Sequence, residues 1–267
     1  MSKPASPLVS RAPDWFEMVS TGASGLVGIA RIPGTVWSGS GVELAITDLD
    51  KPKVGEAIPG TVFPARCPER HIQGDKSFCV GLRKIEIWSD EAADQWWEQL
   101  RQYVVCQSIA HQTGVWPPEH SLDHGAAGLH HERCLILASE LGLDEAYAAA
   151  RLDEPSWITD PDLRLTDRSG RPINGRGPCP LGCRTRSRPS RLVVRRKCAK
   201  RGLILELVVE EARRRTALEQ YWKNERIIGT RCCGTMLSCK LRVLTGGAES
   251  SDIGSGVTTK ESVHVEI

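Results

Sequence analysis

Cys79 is the residue whose type and surroundings point most directly to chemistry. It follows a polar turn at residues 73–76, with His71 eight residues upstream and Trp88 nine residues downstream. A thiol beside a loop can be reached by a reactant, and a nearby imidazole can lower its pKa or donate a hydrogen bond to a developing oxyanion. The pattern is compatible with a reactive, accessible thiol at Cys79. The alternative is a small core residue between two apolar neighbours.

A second group of residues indicates a metal site in the other half of the chain. Six cysteines fall within 61 residues, namely Cys179, Cys183, Cys198, Cys232, Cys233 and Cys239. A short pair, a third thiol and a close cluster after a helical stretch are typical of structural zinc. We expect one tetrahedral zinc bound by Cys179, by Cys183 or Cys198, and by two of the last three. Because the pair has Cx3C and not CxxC spacing, a set of reduced, partly buried thiols is the alternative.

The segment between residues 162 and 201 is strongly basic, with 13 lysine and arginine residues against two aspartates. It has too little apolar content to order itself, so metal binding would supply folding free energy. The charge could contact nucleic-acid phosphates, dock an acidic protein partner or offset zinc-bound thiolates. Nucleic acid is the least supported partner, because no aromatic residue interleaves the arginines for base stacking.

Five of the seven histidines lie within 21 residues, namely His111, His120, His124, His130 and His131. One interpretation is a second metal site or a proton shuttle near Cys79. We favour polar loop positions followed by a helix start, because no pair has a firm metal spacing with a third ligand in sequence.

The elements that must position these residues follow from the hydropathy pattern. Apolar segments broken by glycine and proline predict short antiparallel strands at residues 25–32, 36–49 and 60–67. Helical patterns cover residues 90–112, 131–152 and 203–228. Ser89 or Asp90 can cap the first helix, and Gly114 and Pro117 can end it. The Glu/Arg-rich face of the last helix is expected to be solvated.

Composition excludes several classes of protein. With 40% hydrophobic and 25% charged residues, the chain is not collagen-like, fibrous or wholly disordered. No apolar run approaches the roughly 20 residues that cross a bilayer, and the first residues lack a signal-peptide core. We therefore expect a cytoplasmic protein without membrane association. In a reducing cytosol, ten cysteines favour metal binding or catalysis over disulfides.

The predicted fold class is α+β, with an antiparallel sheet and flanking helices followed by a small helix-containing, cysteine-rich module. A change in composition predicts a boundary near residues 156–162. We expect a disordered N-terminus at 1–13, a first domain at 14–155, a basic cysteine-rich module at 162–244 and a disordered tail at 245–267. The two ends hold too few large apolar residues to offset the entropy of ordering them.

The stretch from Phe63 to Trp88 resembles the catalytic segment of ubiquitin-conjugating enzymes. In that family a His-Pro-Asn-Ile/Val segment and a short glycine-containing loop precede an apolar–Cys–apolar step, and a tryptophan follows ahead of a helix. Here residues 69–72 (ERHI) stand for the first segment and residues 78–80 (FCV) for the cysteine step. Trp88 stands for the tryptophan, and residues 63–64 for an apolar–Pro pair on the preceding strand.

The resemblance covers roughly residues 14–150 and implies a UBC-like fold. The chain is most similar to bacterial proteins of ubiquitin-like conjugation operons that join such a domain to a cysteine-rich segment. Cys79 would accept the C-terminal glycine of a ubiquitin-like protein from its activating enzyme, as a thioester, and pass it to an amine. His71 stands where the family has its oxyanion-stabilising asparagine, and the resemblance implies that role for it by position. Gly74 lies two residues earlier than the family's loop glycine.

Two other functions stay open at this point. The first is a zinc-stabilised basic module that binds nucleic acid or a protein partner, with a catalytically inactive UBC-like domain. The second is a cysteine hydrolase, which needs a base and an orienting acid, and His71 is the one evident candidate.

Overall fold

The computed structural model describes residues 6–22, 24–82, 84–160, 180–181 and 198–242. The described strands are β1 (Phe16–Gly22), β2 (Gly25–Ala30), β3 (Val42–Thr47) and β4 (Lys53–Glu56). The described α-helices are α1 (Pro7–Ser10), α2 (Asp90–Thr113), α3 (Ala127–Leu141), α4 (Asp144–Arg151) and α5 (Arg201–Ile227). Short 3-10 turns lie at Pro68–Arg70, Pro118–His120 and Trp157–Thr159. This order of a sheet followed by helices confirms the predicted α+β class.

The four strands form an antiparallel meander in the order β1-β2-β3-β4. Leu26 pairs with Ile46 and Ala30 pairs with Val42, and all four side chains are buried on one face of the sheet. Alternate residues of a strand point to opposite faces, so this face forms the floor of the first core. Gly28 lies between these pairs, where a Cβ atom would meet the Phe16 ring at 2.4 Å.

The third predicted strand, at residues 60–67, is wrong. The backbone N–H groups of Gly60, Val62 and Phe63 donate to the carboxylate of Glu56 over 2.6 to 3.2 Å. Glu56 is buried at the end of β4, and its oxygens satisfy the donors that a strand would give to a neighbour. The segment therefore curves around one carboxylate.

Helix α2 confirms the helix and the end signals predicted at residues 90–112. The Ser89 side chain accepts a hydrogen bond from the Ala92 N–H over 3.2 Å, and Gly114 ends the helix at φ 69°. Trp97 is buried on the sheet side, with its ring centroid 4.8 Å from that of Phe16. Ile109, near the end of the same helix, is 38% exposed.

The N-terminal segment is ordered where the structure describes it, so the expected disorder of residues 1–13 is wrong for residues 6–13. Leu8 of α1 is fully buried, and its carbonyl accepts the indole N–H of Trp97 over 3.0 Å. Arg11 makes two hydrogen bonds to the Asp94 carboxylate of α2, at 2.6 and 2.9 Å. Residues 1–5 and the predicted tail at 245–267 lie outside the described residues.

Residues from both halves of the chain form the two cores. The sheet and α2 share the first core with residues that follow Tyr221, including Trp222, Met236 and Leu241. Helices α3, α4 and α5 form the second core, which also contains Ile158. The boundary predicted near residues 156–162 therefore falls beside a residue of this second core. None of the described helices is long and apolar enough to cross a bilayer.

Candidate active site and thiol cluster

Two isolated bridges position Cys79 beside the sheet. Ile72 bridges both Cys67 and Phe78, and the Phe78 N–H donates to the Val54 carbonyl of β4 over 2.7 Å. The intervening turn is closed by the Gln73 N–H, which donates to the Ser77 carbonyl over 2.8 Å. The predicted polar turn is therefore present, and the chain on its two sides is in antiparallel contact up to Cys79.

The thiol of Cys79 is half-buried. Its Sγ lies 3.8 Å from the carbonyl oxygen of Gly81. Burial raises the pKa of Cys79, and the contact with Gly81 offsets this only in part. The expectation that a nearby imidazole lowers this pKa is not met, and the resting state is the protonated thiol. Trp88, aligned with the family's tryptophan, is 82% exposed just before α2.

His71 lies directly before the turn, with its ring inside the protein. The residue is 2% exposed and adopts the left-handed backbone conformation at φ 56°. Burial, with His124 nearby, lowers the pKa of His71 well below its usual range, so the ring is neutral. Its Nε2 accepts the Leu122 N–H over 3.4 Å, which places the ring proton on Nδ1. Within the described residues Nδ1 has no hydrogen-bond partner, so it is a buried free donor.

A row of rings in contact joins His71 to helix α5. The His71 ring lies 4.8 Å from the Trp116 ring and 4.9 Å from the His124 ring, between centroids. The His124 ring in turn stacks on Tyr221 of α5 at 4.8 Å and 22°. Burial lowers the pKa of His124 to about 4, so this ring is also neutral at physiological pH.

Tyr221 is a site residue that the sequence analysis missed. The pKa of Tyr221 is raised to about 12, chiefly by burial, with nearby Glu225 and Cys79 contributing to the rise and Arg66 opposing it. Arg66 and Glu225 form an ion pair at 2.7 Å beside it. Helix α5 therefore contributes side chains to the surroundings of Cys79. No local motif marks Tyr221, because it lies far from Cys79 in sequence.

The five clustered histidines separate in space. His111 packs near Trp37, His120 contacts Gln102, His124 contacts His71, His130 contacts Glu210 and His131 contacts Asp123. As the side chains stand, the described residues contain no group of three or more histidine, cysteine or acidic side chains already placed to hold a metal ion. The one member that contacts a candidate catalytic residue is His124.

The four described cysteines among the six zinc candidates do not all lie together. Cys198 precedes the first turn of α5, whereas Cys232, Cys233 and Cys239 follow its last turn. An α-helix of 27 residues spans about 40 Å, so Cys198 cannot share a tetrahedral ion with the last three. That part of the single-site prediction is wrong. Cys179 and Cys183 lie outside the described residues.

Cys67, which was not among the predicted zinc ligands, lies beside one of the C-terminal cysteines. Its Sγ lies 3.0 Å from the Sγ of Cys233, although the two are 166 positions apart in sequence. The hydrogen bond between these thiols raises the pKa of Cys67 and lowers that of Cys233 to about 5. Cys232 and Cys239 also interact through their side chains. We call Cys67, Cys232, Cys233 and Cys239 the thiol cluster.

A groove of about 580 Å³ opens on the other side of the His124 ring. Its lining includes Trp116, Arg151, Arg214, Trp222 and Lys240, and excludes Cys79. Arg214 is nearly buried, with Asp123 at 3.0 Å and Glu211 at 2.7 Å. The basic side of the groove is thus partly neutralised within the protein.

Two family models match the chain. Residues 15–118 match the model described as a prokaryotic E2 domain, and residues 123–241 match the model described as a cysteine-rich domain, C-terminal to E2 domain. No curated protein and no solved structure matches the chain. The first match contains Cys67, His71 and Cys79. The second begins upstream of the predicted boundary and includes α3 and α4, which pack with α5.

Proposed function

The chain is a member of the prokaryotic E2 family that continues into the cysteine-rich domain found after such domains; on that premise we propose that it is a conjugating carrier for a ubiquitin-like protein. Cys79 accepts the C-terminal glycine of that protein from an activating enzyme and passes it to an amine. The cysteine-rich domain carries structural zinc. The partners are thus the ubiquitin-like protein and its activating enzyme.

The transfer consists of two acyl exchanges. Cys79 loses its proton and its sulfur attacks the carbonyl carbon of the activating enzyme's thioester, whose own thiolate leaves. An acceptor amine then attacks the new thioester, forms an amide and releases the Cys79 thiolate. Thioester exchange is nearly neutral in free energy, so the protein has to supply orientation and stabilisation of the oxyanion.

The backbone pairing of Cys79 with His71 carries this proposal, and the unpartnered Nδ1 of His71 is the candidate donor. Each tetrahedral intermediate places negative charge on an oxygen beside Cys79, and a preorganised neutral N–H donor lowers its energy. The backbone N–H of Cys79 donates to the carbonyl of His71 over 2.8 Å, so the two residues are fixed as neighbours. We assign to Nδ1 of His71 the role that the family gives to an asparagine.

Burial of Cys79 favours the second candidate function. A thiol whose pKa is raised is a weaker nucleophile at neutral pH, as expected for an inactive UBC-like domain attached to a zinc-stabilised binding module. Under this alternative Cys79 is structural, and the basic segment at 162–201 binds the partner.

Isolation of the full chain from its native cells tests the proposal. Under acidic, non-reducing conditions, we expect a Cys79 peptide that carries a C-terminal glycine remnant, released by thiols or hydroxylamine. Cys79→Ala should abolish the adduct, while Cys106→Ala, which removes a buried thiol of α2, should keep it. If no thiol-labile adduct forms on wild-type protein, the carrier function is rejected in favour of the binding module.

A further inference from the structure

The thiol cluster draws its members from both matched domains. Cys67 belongs to the E2 domain, and the other three belong to the turns after α5. The Sγ atoms of Cys67 and Cys233 lie 3.0 Å apart, and Cys239 interacts electrostatically with Cys67 and through its thiol with Cys232. Four sulfurs therefore converge on one place at the domain boundary.

Two thiols of the cluster contact donors two residues further along the chain. The Gly234 N–H donates to the Cys232 sulfur over 3.4 Å, and the Thr235 hydroxyl lies 3.1 Å from the Cys233 sulfur. Hydrogen bonds to a ligand atom orient metal ligands and tune the bound ion. Gly234 has φ 82°, the left-handed conformation that glycine adopts without strain, and it lets the chain turn directly after the paired cysteines.

Arg70 supplies an independent observation. It is 1% exposed, and its guanidinium donates to the side chain and the carbonyl of Gln107 at 2.7 and 3.1 Å. Within the described residues no carboxylate lies at ion-pair distance from it. Its Nη1 is 3.4 Å from the Thr235 hydroxyl, which is 3.1 Å from the Cys233 sulfur. A buried cation needs a compensating negative charge, and deprotonated thiols beside it would provide one.

The donor set fits zinc after a small adjustment. Thiolates are the ligands of structural zinc, and a tetrahedron with Zn–S bonds of about 2.3 Å has sulfur–sulfur edges of about 3.8 Å. Cys67 and Cys233, at 3.0 Å, stand as hydrogen-bonded thiols and would move about 0.8 Å apart. The turns that carry Cys232, Cys233 and Cys239 are irregular backbone, which accommodates such a shift more easily than a helix or a strand.

We propose that Cys67, Cys232, Cys233 and Cys239 bind one structural zinc ion that fastens the cysteine-rich domain to the E2 domain. The inference rests on the metal-binding part of the proposed function and is independent of transfer at Cys79. Cys67 immediately precedes the 3-10 turn Pro68–Arg70, and His71 follows that turn. The ion would thus anchor the segment that presents His71. Binding requires all four thiols to release their protons.

Zinc content of the full-length protein tests the ligand assignment. We expect Cys67→Ala and Cys239→Ala each to lose the same single equivalent of zinc, whereas Cys106→Ala and Cys198→Ala keep it. Cobalt substituted into wild-type protein should show thiolate charge-transfer absorption that Cys67→Ala lacks. If Cys67→Ala keeps as much zinc as wild-type protein while Cys239→Ala loses it, Cys67 is not a ligand and the zinc site does not include the E2 domain's cysteine. If wild-type protein binds neither zinc nor cobalt, the proposal that the thiol cluster binds a metal ion is rejected.

A measurement on the unmodified protein covers the case in which Cys67→Ala fails to fold. Alkylation followed by peptide mapping, with and without a chelator, should show the four cluster thiols becoming reactive together. If the chelator increases the alkylation of Cys233 but leaves that of Cys67 unchanged, the proposal is contradicted. A Cys67–Cys233 disulfide in freshly purified protein that lacks zinc contradicts it too.

Discussion

The backbone N–H of Cys79 donates to the carbonyl oxygen of His71 over 2.8 Å, across a turn closed by Gln73 and Ser77. This single bond sets the two residues in register, whatever their side chains do. It makes the position of His71 a property of the same turn that presents the thiol. Substitutions at His71 can therefore remove the side-chain N–H donor while the backbone hydrogen bond to Cys79 stays in place.

His71→Ala should slow transfer to Cys79 by on the order of 10²–10³, the usual effect of removing one oxyanion donor. His71→Asn should restore much of the rate, because asparagine keeps an N–H donor and tolerates the left-handed conformation at this position. Single-turnover rates of thioester formation, with circular dichroism to check folding, measure both. Exposed His120→Ala is the control, and a wild-type rate for folded His71→Ala would remove His71 from the mechanism.

Alkylation of Cys79 should accelerate with pH around a midpoint above the ordinary thiol value of 9.0, because burial raises its pKa. The sign follows from the nucleophile, which is the thiolate, and burial disfavours that charged form. Iodoacetamide rates at Cys79, followed by mass spectrometry across a pH series, give the midpoint. The same protein in urea is the reference, and a folded-state midpoint below the urea midpoint would contradict burial as the dominant influence.

Asp123 should contribute stability that disappears in acid. Burial raises its pKa, but the hydrogen bond with His131 and the charge of Arg214 outweigh burial, and the pKa lies below its usual 3.8. A carboxylate whose pKa is lowered in the folded state stabilises the fold at pH values above its ordinary pKa. This stability is lost as the pH falls through the folded-state pKa. Asp123→Asn should therefore reduce the free energy of unfolding near pH 7 by about 1–3 kcal/mol.

The difference in free energy of unfolding between wild type and Asp123→Asn should narrow as the pH falls below 3.8, because the wild-type carboxylate then takes up a proton. Urea unfolding at several pH values measures it. Exposed Glu43→Gln is the matched control and should follow the wild-type pH curve. A difference that is the same at every pH would show that charge on Asp123 does not stabilise the fold.

Leu8→Ala should lower the free energy of unfolding by about 2–5 kcal/mol, as for other fully buried leucines. The loss arises because Leu8 packs in the first core next to Trp97. Val19→Ala, at a side chain that is 57% exposed, should change it by no more than about 0.5 kcal/mol. Equal effects of the two substitutions in urea unfolding would mean that the N-terminal segment is not docked in solution.

Local features of the sequence predicted the parts of the site that depend on neighbours in sequence. His71, the polar turn and Cys79 lie within nine residues, so one short motif contains them. Helix α2 was predictable with its limits, because a capping serine and a glycine end signal act within one turn of the helix. The segment at 60–67 was not predictable, since its conformation depends on a buried carboxylate that satisfies its N–H groups.

The parts of the site that join residues far apart in sequence could not be predicted from the sequence. Cys67 and Cys233 are 166 positions apart, and nothing in the spacing of the C-terminal cysteines identifies a partner in the first half of the chain. The same holds for Tyr221, which looks like one polar residue on a solvated helix until the stacking on His124 is seen. The alternative that placed Cys198 with two of the last three cysteines failed because proximity in sequence ignores the length of α5.

The first core also contains Trp222, Met236 and Leu241. Synthesis must therefore reach residue 241 before the sheet and α2 can complete their apolar interior. The E2 domain emerges early but finishes folding late, and until then part of its apolar surface stays exposed to water.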